Sequence, residues 1–543
     1  MKIFGALIRQ RLRRDRWQLI IWVLAIGLLA AFSAQSLVTT YGSAVGRVEV
    51  IHLAIANPAI LVLRGLPQGT TLAAVTFFEI YSFLALLAGL MSTFLAVRHT
   101  RAEEESGRAE LVAATEAARI TPTVATIVHG LIANILVALA VGLGFISTGL
   151  PAYGSFVAGA AVGGAGIAFL AVGLFTSQLM STSRGANGLA ATVVVLAYFL
   201  RGIGDATGSV KPDGVHMTSA WPTWLSPIGW GEQTDAWGGN VWWPLLLDLA
   251  FAAAVVAVVF VLQSQRDTGS SLVAQRSGRA DARPGLNGPL GLAWRLQWPT
   301  VVGWAAGGAA TGALAGALGS VVSSSIANDP TLGGMRKALA TIGSGGSGSL
   351  LQMFISAIFA IVGVLAAACA TQVIVRLRQE EAGGTAELLL ATPLSRIRWL
   401  LEFLLVGVIA VVIVLAAAGL ASGLSAVGAI DGSSMMGPSL AAAAAQLPVA
   451  LIYLGVLSLV FVVLPNWSIV IAWATLGLGA FIGIFGGFIG IPDWLQKLSP
   501  FAHTPVVTGP TLDWSGGIWM FVIAIGATAL AAVLIRRRDF AIA

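Results

Sequence analysis

RAEEESGRAELVAATEAARI (residues 101–120) and RQEEAGGTAELLLATPLSRI (residues 378–397) stand 277 positions apart in one chain. Eleven of their twenty positions are identical: Arg101/Arg378, Glu103/Glu380, Glu104/Glu381, Gly107/Gly384, Ala109/Ala386, Glu110/Glu387, Leu111/Leu388, Ala114/Ala391, Thr115/Thr392, Arg119/Arg396 and Ile120/Ile397. Chance gives roughly two matches in segments this rich in alanine and glutamate, so the pair marks an internal duplication. Each copy sits between two long apolar runs. Working outward, the chain reads as a first half at 1–263, a polar Gly/Arg-rich linker at 264–299 and a second half at 300–543.

Composition states what the halves are made of. Of 543 residues, 57% are hydrophobic and only 10% charged, and the mean hydropathy is +0.88. A water-facing surface needs roughly 25% charged residues, which excludes a soluble enzyme, a nucleic-acid reader and a disordered regulator. The expectation is an all-α polytopic membrane protein. A helix crossing ~30 Å of hydrocarbon needs about 20 apolar residues, and twelve stretches qualify. Six lie in the first half, at 18–38, 74–97, 124–149, 155–180, 187–203 and 242–263; six lie in the second, at 300–322, 350–375, 399–423, 437–464, 467–490 and 516–535. The Gly/Ala-rich stretch at 155–180 suits a packed interior helix, because small residues let backbones approach closely.

Charge placement orients the spans. With the amino terminus inside, 23 of the 30 basic residues fall on the inner side, as the positive-inside rule requires. Both termini are then cytoplasmic, and the pI near 9.9 is a topology signal rather than a nucleic-acid footprint. The Ala/Gly/Val/Arg bias points to a bacterial cell (inner) membrane. Residues 9–16 before an apolar run, with Ala31-Phe32-Ser33-Ala34 further on, resemble a signal peptide. The run continues to about Val38 and has a counterpart at 300–322, so an uncleaved first span is expected. Residues 2–16 place Ile3, Phe4, Leu7, Ile8 and Leu12 on one face with arginines opposite, the pattern of an interfacial helix; a second interfacial segment is expected in the linker region.

The duplicated segment has a physical shape. Pairs at i,i+4, such as Arg101 with Glu105, Glu104 with Arg108 and Arg376 with Glu380, carry the preceding helix into water. Gly107 and Gly384 then break it. A short helix follows with Glu110 or Glu387 in its first turn, where a carboxylate suits the dipole. Thr392-Pro393 is expected to cap the next span. A charged turn accounts for arginines at a membrane end, but a repeated order of acids on the basic side points to a docking surface for a cytosolic partner.

These segments carry a resemblance. Glu380 to Arg396, in the order EE-x-G-x-x-E-L-L-x-A-T-P-x-S-R, is similar to the coupling region of ABC-2-type permeases, above all the fused twelve-helix polyketide-antibiotic (tetronasin-type) exporters. Leu225-Ser226-Pro227-Ile228-Gly229-Trp230 and Leu498-Ser499-Pro500-Phe501-Ala502-His503, each before the last span of its half, resemble the same family. The resemblance implies two six-helix ABC-2-type (type V exporter-like) halves with re-entrant outer segments. It also implies that 107–115 and 384–392 are coupling helices docking into a homodimeric ATP-binding-cassette ATPase, two copies per permease. The docking residues are then Glu103, Glu104, Gly107, Arg108, Glu110, Leu111, Thr115, Arg119, Glu380, Glu381, Gly384, Glu387, Leu388, Thr392 and Arg396. Glu116, Ala117 and Ala118 stand where the second copy has Pro393, Leu394 and Ser395, so the two copies need not engage equally.

A split system also follows from the residues. A phosphate-binding loop needs Gly-Lys-Ser/Thr, yet Lys2, Lys211, Lys337 and Lys497 precede Ile3, Pro212, Ala338 and Leu498. No cofactor is expected in this chain; ATP and Mg belong to the partner. One cysteine, Cys369, excludes a disulfide framework, and five histidines at no short spacing leave no metal cluster legible.

Glu79, Asp248 and Glu402 fall within spans near their ends, where interfacial carboxylates paired with arginine or backbone are expected. The functional alternative makes Phe77, Phe78, Glu79 and Tyr81 a vestibule, with His129 and Glu402 along the cargo pathway; for His129 a packing role competes with a proton relay. Arg201 and Asp205 read as a local ion pair worth under ~1 kcal/mol. The outer segments at 39–73 and 204–241 are too long for simple turns; the second is expected to fold back into the outer leaflet as short re-entrant helices, and Trp221, Trp224 and Trp230 form either an aromatic belt or an outer gate.

The function expected is the permease subunit of an ATP-driven exporter moving small hydrophobic or amphipathic cargo, as in antibiotic or multidrug efflux, among membrane lipid and without nucleic acid. A lipid exporter, an ion-gradient-driven twelve-helix secondary transporter and a non-transporting sensor or immunity protein are the alternatives.

Overall fold

Backbone taken out of water must satisfy its own N–H and C=O groups, so the apolar runs become helices. The computed structural model describes residues 2–40, 42–267, 269–273, 288–326, 350–427, 435–485, 492–507 and 513–538. The chain divides into two compact units, Met1–Gly278 and Arg279–Ala543. Residues 274–287 of the expected linker lie outside the described residues.

The first unit holds α1 (Lys2–Thr40), α2 (Ala44–Ala56), α3 (Pro58–Leu63), α4 (Leu72–Arg98), α5 (Arg101–Glu105), α6 (Arg108–Ala113), α7 (Thr121–Ser147), α8 (Ala152–Leu179), α9 (Ser183–Ala206), α10 (Pro227–Glu232) and α11 (Leu245–Gln265). Local capping fixes several starts. Thr71 accepts the Ala74 N–H ahead of α4, and Thr182 accepts the Gly185 N–H ahead of α9, both at 3.1 Å. The second unit holds α12 (Pro289–Ile326), α13 (Leu350–Ala382), α14 (Thr385–Leu390), α15 (Arg396–Val427), α16 (Met436–Ala445), α17 (Leu447–Val463), α18 (Ser468–Ala480), α19 (Asp493–Gln496) and α20 (Ser515–Leu534).

Eleven helices among the described residues are long and apolar enough to cross a membrane. The twelfth expected span, 467–490, differs: α18 is a shorter apolar helix that passes into a π turn over Phe481–Phe485. Its expected last residues, 486–490, are outside the described set. Residues 2–16, expected as an interfacial helix, are the beginning of α1, a single 39-residue helix; no proline interrupts Lys2–Thr40, and Arg11 and Asp15 are buried. Described residues of the second expected interfacial segment likewise continue into α12.

The core of the first unit is built around α8, which packs on α4, α7 and α11. Its small residues do what their composition predicted. A Cβ at Gly159 would lie 2.3 Å from the Ala138 carbonyl oxygen of α7, so the two backbones touch. Gly159→Ala is expected to cost about 1–3 kcal/mol by forcing them apart, read as a lowered melting temperature in detergent. Gly188→Ala in α9, where added bulk meets nothing within 4 Å, is expected to be silent; equal melting of the two variants contradicts the close packing. In the second unit, Trp399, Phe403 and Phe461 fill a core where α13, α15 and α17 meet.

The segment 204–241 turns back onto its bundle, though with little helix. It contains a two-residue antiparallel hairpin, Ser209–Val210 with Met217–Thr218, a 3-10 turn at Trp221–Leu225 and the one-turn α10. Pro227, Ile228, Gly229, Gly231 and Glu232 of α10 are buried against α8 and α9.

Candidate functional site

Both copies of the duplicated segment fold into the same elbow. Gly107 and Gly384 each adopt φ 74°, ψ −3°, the left-handed region that glycine enters at least cost. A six-residue helix follows each, α6 and α14, with Glu110 or Glu387 in its first turn. Thr115 and Thr392 then donate back to the carbonyls of Val112 and Leu389, closing the short helix. Thr392 is therefore not the cap of the next span. Ser395 has that role, accepting the Arg398 N–H at 3.3 Å.

The acids separate into two groups that the motif does not distinguish. Glu103 is held by Arg11 at 3.4 Å, by Arg14 at 3.1 Å and by His99 Nδ1 at 3.4 Å. Glu104 binds Arg101 at 2.9 Å and Arg266 at 2.6 Å. In the second unit Glu380 pairs with Arg376 and accepts from Thr385, while Glu381 pairs with Arg378 at 3.4 Å and with Arg538. These four are paired within their own unit. Arg119 and Arg396 are anchors too: they donate to the backbone carbonyls of Arg266 and Arg538. Each elbow is thus clasped by the arginine that follows the last helix of its unit.

What faces outward is smaller and partly apolar. Arg108, Glu110 and Thr115 of the first elbow, and Glu387 and Thr392 of the second, are exposed. Leu111 and Leu388 are 73% and 74% exposed, one leucine at the tip of each elbow.

The expected vestibule is closed. Phe77, Phe78 and Tyr81 are 3%, 2% and 1% exposed, packed in the interior of α4, and the Tyr81 hydroxyl donates to the Ile228 carbonyl at 2.8 Å. Glu79 pairs with Arg64 and Glu402 with Arg398 at 2.8 Å, as interfacial carboxylates do. Asp248 departs from that expectation: it is fully buried and neither carboxylate oxygen has a hydrogen-bond partner. A more open apolar recess of about 330 Å³ lies in the second unit, lined by Tyr453, Leu457, Leu478, Ile482, Leu498 and Pro500 among others. Of the tryptophans, Trp221 is exposed, Trp224 stacks on Trp243 at 5.6 Å, and Trp230 donates to the Trp224 carbonyl at 2.6 Å.

Two clusters escaped the sequence reading. Arg201 and Asp205 are fully buried rather than a surface pair. Asp205 lies 3.0 Å from Arg201, Glu232 of α10 lies 3.7 Å from the same guanidinium, and Glu232 accepts the Leu66 N–H at 2.8 Å. The i,i+4 spacing was a signal for the first two; nothing signalled Glu232. His129 packs with Asp15 and His99 in a buried trio. Its members are separated by 84 and 30 positions, so spacing concealed it.

The comparisons with known proteins agree with this architecture. A family model described as the multidrug efflux system permease Rv1217c, C-terminal domain, matches residues 286–536, most of the second unit. Across 538 residues the chain is 33% identical to the multidrug efflux system permease protein Rv1217c of Mycobacterium tuberculosis H37Rv, covering 98% of this chain and 94% of that protein. With eleven membrane-length helices, twin elbows and a match running almost end to end, the chain belongs to the Rv1217c family of multidrug efflux ABC permeases.

Proposed function

We propose that this chain is the membrane subunit of an exporter that expels small hydrophobic or amphipathic compounds, driven by ATP hydrolysed on a separate homodimeric ATP-binding-cassette ATPase. Both termini and both elbows then face the cytoplasm from the bacterial inner membrane. The observation that carries this reading is the twin elbow: two short helices of identical entry geometry, each anchored by ion pairs within its unit and each presenting one bare leucine beside one exposed glutamate. A single exposed leucine is ordinary on a protein surface; the same bare leucine at the same place in both elbows is what supports a repeated contact. The anchors make each elbow a stiff lever, so a shift at its tip is passed to the spans on either side. The lack of any Gly-Lys-Ser/Thr loop in the chain supports a second polypeptide as the energy source. The apolar recess beside Tyr453 is the better candidate for cargo contact than the filled interior around Phe77.

Glu110→Arg combined with Glu387→Arg is expected to leave insertion intact while the ATPase no longer co-purifies and efflux stops. Coupled transport surviving in that double variant counts against the assignment. Export in proteoliposomes from a pH gradient, with no ATPase present, decides instead for a secondary transporter.

A further inference from the structure

The root of the first elbow holds a cluster that docking does not use. Asp15 of α1, His99 at the end of α4 and His129 of α7 are 2%, 1% and 0% exposed. Both imidazole Nε2 atoms converge on one oxygen, Asp15 Oδ2: His129 from 3.2 Å and His99 from closer in. The rings stand edge to face with centroids 5.1 Å apart, and one ligand atom from each residue lies within 4.8 Å of the other two.

His99 Nδ1 is 3.4 Å from Glu103 Oε1 and its Nε2 lies closer to Asp15 Oδ2, so each ring nitrogen faces a carboxylate. His129 Nδ1 has no hydrogen-bond partner, so no neighbour dictates its tautomer, and its Nε2 faces the same oxygen. Two imidazoles and a carboxylate oxygen, one imidazole backed by a second carboxylate, form the donor set of a divalent transition metal with its outer-sphere orienter. Arg98 sits on the far oxygen of Asp15, at 3.1 Å from Oδ1, and Arg11 and Arg14 sit on Glu103, so Oδ2 is left to the histidines.

The second unit is built otherwise. At the same offset of 277 its residues are Leu292, Arg376 and Val406, and Arg376 pairs with Glu380 where His99 meets Glu103. A permanent cation steadies the second elbow; in the first, an imidazole stands in that place.

We propose that Asp15, His99 and His129 form a buried binding site for one divalent transition-metal ion of the zinc class, which ties α1, α4 and α7 together beneath the first elbow and is not repeated at the equivalent positions Leu292, Arg376 and Val406. The inference does not depend on the ATPase reading. The test is titration of chelator-treated full-length protein in detergent with Co²⁺. The expected result is one Co²⁺ per chain with visible ligand-field absorption, displaced by Zn²⁺. His129→Ala and His99→Ala are expected to abolish that absorption, and Glu103→Gln to weaken binding roughly 10–100-fold. Should those variants fail to fold, X-ray absorption of the Co²⁺-loaded wild-type protein is read for two imidazoles and one carboxylate oxygen. No saturable Co²⁺ binding, binding untouched by the histidine variants, or cobalt without imidazole neighbours overturns the proposal.

Discussion

Leu111→Asp with Leu388→Asp is expected to give a permease that inserts, folds and melts like the wild type yet neither retains its ATPase nor exports. The folding half of this expectation follows from exposure: each side chain is about three-quarters open to solvent, and surface substitutions away from special features usually move stability by within ±0.5 kcal/mol. The binding half follows from where interface energy resides. A few buried anchors dominate such contacts, at roughly 2 kcal/mol or more each; two anchors lost together weaken association about 1000-fold. Co-purification of the ATPase reads the first loss, and drug accumulation in cells the second. Leu111→Met with Leu388→Met, which keeps an apolar tip, is expected to preserve both. A fully coupled aspartate double variant removes the tips from the mechanism.

The second large effect concerns the buried arginine opposite the elbow end of the first unit. Arg201→Met leaves Asp205 and Glu232 buried without their shared cation, beside Thr223, whose hydroxyl donates to Asp205 at 3.0 Å. Breaking a buried ion pair from one side costs about 3–5 kcal/mol, a large fraction of a net stability of roughly 5–15 kcal/mol. The expected outcome is a collapse in the yield of monodisperse protein and in its melting temperature. Arg201→Met/Asp205→Asn/Glu232→Gln removes all three charges and is expected to recover most of the loss. If the single variant is as stable as wild type, the cluster does not hold α9 to α10.

The elbows show why part of this site was legible and part was not. Gly107 and Gly384 could be read at once, because a glycine between two charged helical stretches repeats at the same offset and the turn is local. The division of labour among the glutamates could not. Glu104 and Glu110 lie six residues apart in one acidic run, but one is clamped by Arg101 and Arg266 and the other is exposed. The clamp comes from a helix end more than 160 residues away, and no local pattern encodes it. Residues 3–12 are ambiguous for a related reason. Their apolar stripe fits an interfacial helix and the start of a span equally well, and the decision rests with Arg11 and Asp15. Arg11 reaches the His99 carbonyl, Thr126 and Glu103, partners supplied by α4, α5 and α7.

By itself the amino-acid sequence determined the solvent this chain lives in, the positions of most of its membrane-length helices, the twofold duplication and the turns between helices, because each follows from local hydropathy or backbone preference. Tertiary structure alone decided which charged residues face inward, which leucine is left bare and which distant side chains meet, as Asp15, His99 and His129 do. In a helix bundle those outcomes depend on the rotation of each helix about its own axis. Packing against neighbours sets that rotation, and neighbours are chosen across the fold rather than along the chain.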